Sequence, residues 1–66
     1  MEIIVNGEKQ TVPDGFTAAQ LVETMQLQGR RIAMEVNREI VPRSTYTEHT
    51  FQAGDSIEIV HAVGGG

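Results

Sequence analysis

The stretch Met1-Glu2-Ile3-Ile4-Val5-Asn6-Gly7-Glu8-Lys9-Gln10-Thr11-Val12 decides the fold class. Met1, Ile3 and Val5 alternate with Glu2 and Ile4, the period of two expected of a half-buried strand. Asn6-Gly7 follows at once, and this dipeptide tolerates the positive φ angles of a tight hairpin. Residues 9–12 are then the returning strand. Pro13 cannot donate to a ladder and Asp14-Gly15 is a turn pair, so the hairpin stops there.

Beyond the hairpin, Thr17 is a helix N-cap, Gln20 completes a capping box, and Phe16 is placed to staple onto Leu21. Ala18, Leu21, Val22 and Met25 fall at i, i+3, i+4 and i+7, one face of a helix, with Glu23, Thr24 and Gln26 on the wet side. Gly29 is expected to end this helix in a left-handed conformation, with Arg30 and Arg31 near its negative end. Ile32, Met34 and Val36 alternate as a third strand, Asn37-Arg38-Glu39 turns the chain, and Ile40-Val41 is a short fourth strand stopped by Pro42. Residues 43–50 are polar, with Tyr46 as the expected anchor into the core. After the Ala53-Gly54-Asp55 turn, Ile57 and Ile59 mark a last strand running to about Ala62. The expectation is an α+β fold, with one helix packed across one face of a mixed sheet of four to five strands. Residues 1–62 would form the domain and residues 63–66 a tail.

Sixty-six residues make one small domain with little room for a deep pocket, which argues against a self-contained active site. Zero cysteines remove disulfides, thiolate metal sites and thiol nucleophiles together. Five basic residues against nine acidic ones argue against binding a phosphate backbone and favour a basic partner. The start has no basic region followed by a signal-length apolar run, and nothing approaches the ~20 apolar residues of a membrane span. The expected location is the cytoplasm, with no nucleic acid and no membrane as partner.

His49 and His61 are the only histidines and lie far apart in sequence, so no metal site is expected. Ser44 and Ser56 lack the partners of a nucleophile, and no catalytic residue is assigned. If Ile3, Val5, Ile57 and Ile59 point at the helix, Ile4 and Val60 face the other way on neighbouring central strands. Side by side, they would form a docking patch, with His61 and Val63 nearby. The end of the chain, Val63-Gly64-Gly65-Gly66, carries three glycines and an α-carboxylate. A tail without Cβ atoms is thin enough to lie where any side chain would collide. Its carboxylate, with pKa ~3.5, is ionised at neutral pH and is a poor electrophile until a partner activates it.

Several segments carry a resemblance. They are Ile3-Ile4-Val5-Asn6-Gly7, the helix after Asp14-Gly15, Val36-Asn37-Arg38-Glu39-Ile40-Val41-Pro42-Arg43, and Ala53-Gly54-Asp55-Ser56-Ile57-Glu58-Ile59 with the closing Gly65-Gly66. In this order they resemble the thiamine-biosynthetic sulfur carrier (ThiS) family of ubiquitin-like, β-grasp proteins over nearly the whole chain. Gly64 is additional to that family's closing glycine pair. The resemblance implies a non-catalytic carrier with no bound cofactor. A ThiF-type activating enzyme would use ATP to adenylate the Gly66 carboxylate. A cysteine desulfurase or another sulfur donor would convert it to a thiocarboxylate, and a ThiG-type thiazole synthase would take the sulfur. Two other outcomes of the same chemistry stay open at this level. They are a molybdopterin-type sulfur carrier and a ubiquitin-like modifier that forms isopeptides.

Overall fold

The computed structural model describes residues 1–61. Strand β1 (Glu2–Val5) pairs antiparallel with β2 (Glu8–Thr11) across Asn6-Gly7. Helix α1 spans Ala18–Thr24, and β3 (Ile32–Val36) pairs antiparallel with β4 (Glu39–Val41). A single 3-10 turn occupies Arg43–Thr45, and β5 (Ser56–His61) closes the sheet. The strand order is β2-β1-β5-β3-β4, with β5 parallel to β1 and antiparallel to β3. The α+β expectation of one helix on a mixed sheet holds, with five strands. The boundary expected between residues 62 and 63 lies outside the described residues.

Alternation on the strands and the helical stripe meet in one core. Ile3, Leu21, Met34 and Ile57 are its fully buried large side chains, one each from β1, α1, β3 and β5. Tyr46 is buried as expected, and Val12, Val41 and Phe51 join the core from the edges and the loop before β5. Burying a leucine of this kind is worth about 2–5 kcal/mol against alanine, a large share of a small domain's stability.

The helix is held at its start by side chain and loop together. Gln20 N–H donates to Thr17 Oγ1 at 3.1 Å, and Thr17 N–H donates to Gln20 Oε1 at 2.8 Å, the reciprocal capping box. The next two orphan N–H groups are satisfied by the loop after β4, since Ala18 donates to His49 O (2.9 Å) and Ala19 to Tyr46 O (3.0 Å). Arg43 reaches back with its guanidinium to the Arg30 carbonyl, tying this loop to the segment that follows the helix.

The helix stops earlier than its glycine suggests. Gln26, not Gly29, takes the left-handed conformation that ends it, with φ 60°. Gln26 N–H donates to Glu23 O (3.0 Å) and Leu27 N–H to Val22 O (2.9 Å), the paired bonds of a Schellman stop. Leu27 packs against the core, and this apolar contact sets the stop one turn after the last buried helical position. Gly29, at φ 76°, serves a separate turn closed by Arg30 N–H on Leu27 O at 3.1 Å. Arg30 and Arg31 therefore do not lie in the last helical turn.

Candidate functional site

Strand β5 organises the candidate site because it is central and leads into residues 62–66. On its β1 flank, Ile4 N–H donates to Asp55 O (2.9 Å) and Asn6 N–H to Ile57 O (2.8 Å). The Asn6 side chain then accepts Ile59 N–H on Oδ1 at 2.9 Å. On the other flank β3 follows β5 to its end, pairing Ala33 with Val60 and Ile32 with His61.

The sheet face turned away from the helix carries Ile4, Ala33, Glu35, Ile40, Ser56, Glu58 and Val60, by alternation from the buried Ile3, Met34, Val41, Ile57 and Ile59. Ile4 is half-buried there, and Val60 is 56% exposed. They share this face but are not side by side, because Ile4 pairs with Ser56 and Val60 sits four residues further along β5. At a strand rise of about 3.3 Å per residue, that offset is about 13 Å. The parallel register, a tertiary property, separates them.

The apolar neighbour of this face that sequence reading missed is Ile40, at 73% the most exposed large hydrophobic among the described residues. Only the burial of Val41 reveals it, since alternation then turns Ile40 outward. Register places Ile40 opposite Glu35, and Glu35 opposite Glu58, so two carboxylates lie between the exposed Ile40 and Val60.

His61 is exposed, but it alternates with Val60 and follows Ile57 and Ile59 on the helix side of the sheet, opposite Ile32. It is not part of the Ile4 and Val60 face. His49 is half-buried with its ring edge-on to Phe51 at 5.6 Å, and its carbonyl caps the helix, a structural role. Among the described residues no group of histidine, cysteine and carboxylate side chains could hold a metal ion. A shallow groove of about 370 Å³ beside β4 is lined by Ile40, Pro42, Thr45, His49 and Gln52 among others, and it brings no nucleophile to a base. Among the described residues, no helix is long and apolar enough to cross a membrane. Val63, Gly64, Gly65 and Gly66, the expected tail and its neighbour, lie outside the described residues.

The chain matches the ThiS family model across residues 1–66. It belongs to the ThiS family. It is 30% identical to the sulfur carrier protein ThiS of Escherichia coli over the full length of both chains. The crystal structure of a thiamine biosynthesis protein (ThiS) from Geobacter metallireducens superposes with a TM-score of 0.85 at 28% identity, covering all of both chains. The β-grasp architecture expected of the family is therefore the one observed. A thiazole synthase of Paramagnetospirillum magneticum is 36% identical over 66 residues, all of this chain but 20% of that protein. The chain thus spans about one fifth of the length of the thiazole synthases it matches.

Proposed function

We propose that the chain is a cytoplasmic sulfur carrier for thiazole formation in thiamine biosynthesis, acting as a protein co-substrate and not as an enzyme. The observation that carries this reading is the end-to-end match to the ThiS family, including a sulfur carrier protein of equal extent. In the proposed chemistry a Gly66 carboxylate oxygen attacks the α-phosphorus of ATP, pyrophosphate leaves, and an acyl adenylate forms. A sulfide donor attacking the acyl carbon expels AMP and leaves a thiocarboxylate directly. Where the donor is a cysteine desulfurase, its persulfide attacks through the terminal sulfur and AMP leaves. A thiol then cleaves the resulting acyl disulfide, releasing the thiocarboxylate and becoming part of a disulfide. The activating enzyme supplies the charge stabilisation at phosphorus, and this chain contributes position. Gly64 and Gly65 keep the approach to Gly66 free of side chains. The acceptor is a thiazole synthase. Support comes from proteins of that name, about one fifth of whose length resembles this chain.

The outward sheet face is the proposed docking surface for the activating enzyme. Val60 and Ile4 remain in it, Ile40 joins it, and Glu35 and Glu58 give it an acidic centre suited to a basic partner side chain. His61 and Val63 lie toward the tail, where a partner that threads it would pass them. Ordering the tail costs about 1–2 kcal/mol per residue, which contacts on this face offset.

Intact mass of the natively produced protein tests the reading. Exchange of one terminal oxygen for sulfur is expected, and deletion of Gly66 should abolish it while the melting temperature stays at the parent value. Conjugation of the terminus to lysines of other proteins, or sulfur loading of the truncated chain, overturns it.

A further inference from the structure

Asn6 is the residue at which β1 stops running beside β5. In a parallel ladder each inward-bonding residue uses both its N–H and its C=O on the neighbouring strand. Asn6 makes the first bond with its main chain, donating to Ile57 O at 2.8 Å. The second would run from Ile59 N–H to the Asn6 carbonyl. The hairpin prevents it, because Asn6 has φ 50° and the chain swings away into Gly7 and β2. The side-chain Oδ1 takes the missing place, accepting Ile59 N–H at 2.9 Å in a partly buried setting. Among the described residues this is the last hydrogen bond that β5 receives on its β1 flank, two residues before the strand ends.

We propose that Asn6 is a positioning residue for delivery of the chain's terminus. Its side-chain oxygen stands in for a main-chain carbonyl and fixes the direction in which β5 leaves the sheet. The proposal rests on reading Gly66 as the loaded residue. Seven residues lead from Ile59 to Gly66, a fully extended reach of about 23–25 Å. Misplacement of a reacting group by about 1 Å can cost about 100-fold in rate, so the heading of β5 at Ile59 bears on where a partner meets the terminus. Pairing with β3 continues through His61, so loss of the Asn6 bond leaves the strand in place but held on one flank.

The molecule contains its own control. Asn37, first residue of the β3–β4 turn at φ 51°, makes the same substitution at the start of β5. Its N–H donates to Ser56 O at 2.8 Å, and its Oδ1 accepts Ser56 N–H at 3.0 Å. This bond lies at the opposite end of the strand from the exit.

The test uses the full chain with its activating enzyme, and follows Ile59 amide exchange and kcat/KM for sulfur loading. Asn6→Gly keeps the turn conformation and deletes the acceptor; Asn6→Asp keeps an acceptor and tolerates the turn; Asn37→Gly deletes the matched acceptor elsewhere. Asn6→Gly should speed Ile59 exchange about tenfold and lower loading efficiency about tenfold or more, with Asn6→Asp near wild type on both. Asn37→Gly should leave loading unchanged. Wild-type loading efficiency in Asn6→Gly despite faster exchange overturns the proposal, as does an equal loss of loading in Asn37→Gly. Unchanged Ile59 exchange in Asn6→Gly removes the tether itself. A folded wild-type chain that is never loaded overturns the reading of Gly66, a failure distinct from the variant pattern.

Discussion

The turns Asn6-Gly7 and Asn37-Arg38 share one backbone and differ in their second residue. Both place two successive residues at positive φ, 50° and 84° in the first, 51° and 71° in the second, as a two-residue hairpin of primed type requires. Glycine meets that demand without strain, whereas arginine in the left-handed region costs about 1–2 kcal/mol. The flanking pairs, Val5 with Glu8 and Val36 with Glu39, are equivalent. The second turn is therefore imposed by β3 and β4 on a residue that resists it. Each leading asparagine bonds β5, but the Asn6 bond is partly buried and the Asn37 bonds are exposed. Local sequence forms the first turn, and tertiary pairing enforces the second.

The largest effect should come from removing the asparagines. Asn6→Ala should cost about 2–3 kcal/mol, from a partly buried N–H left without an acceptor and an alanine held at positive φ. Asn37→Ala should cost about 1–2 kcal/mol, because water replaces its exposed partners. Urea denaturation of both variants measures the gap, and equal losses would mean that burial does not distinguish the two asparagine bonds.

Exchanging the second residues isolates the backbone term. Gly7→Arg should destabilise by about 1–2 kcal/mol, since it places a Cβ at φ 84° where the space around the residue is open and only the backbone objects. Arg38→Gly should stabilise by about 0.5–1 kcal/mol, the relief of strain less the extra entropy of glycine in the unfolded chain. Thermal melts of the two variants should move in opposite directions; a downward shift for Arg38→Gly would mean that the arginine side chain makes a favourable contact.

Tyr46→Phe, remote from both turns, should have the smallest effect, within about 0.5 kcal/mol at pH 7. Burial pushes the Tyr46 phenol up, with the Arg43 guanidinium partly offsetting it, so the fold favours the neutral form. Stability from this group is intact below the unfolded-state value of about 10 and is lost as pH rises through the higher folded value. The parent should therefore lose melting temperature above pH 10 more steeply than Tyr46→Phe, and calorimetry across that range reads the difference.

Much of the architecture was legible because its signals are short-range. Alternation in residues 1–5 and 32–36, the Asn6-Gly7 dipeptide and the Thr17 and Gln20 box each act within four residues. The helix stop departs from the glycine signal for the opposite reason. Gly29 is the better left-handed residue, but Leu27 packs on the core and draws the stop back to Gln26. His61, expected near the patch, directly follows Val60, and alternation turns it to the helix side of the sheet. Ile40 was hidden because a two-residue apolar strand does not announce which member is the inner one until Val41 is seen in the core.

The order of polar and apolar residues by itself determined that this chain is a hairpin, a capped helix and three further strands around one core. Period and turn chemistry are local, and each can be satisfied by a few neighbours. Only the tertiary structure decided the four-residue offset between Ile4 and Val60, and only it brought Asn6 to Ile59 across 53 positions of sequence. Register between strands distant in sequence is set when the core closes, and a side-chain amide takes a carbonyl's place only after the two backbones have met.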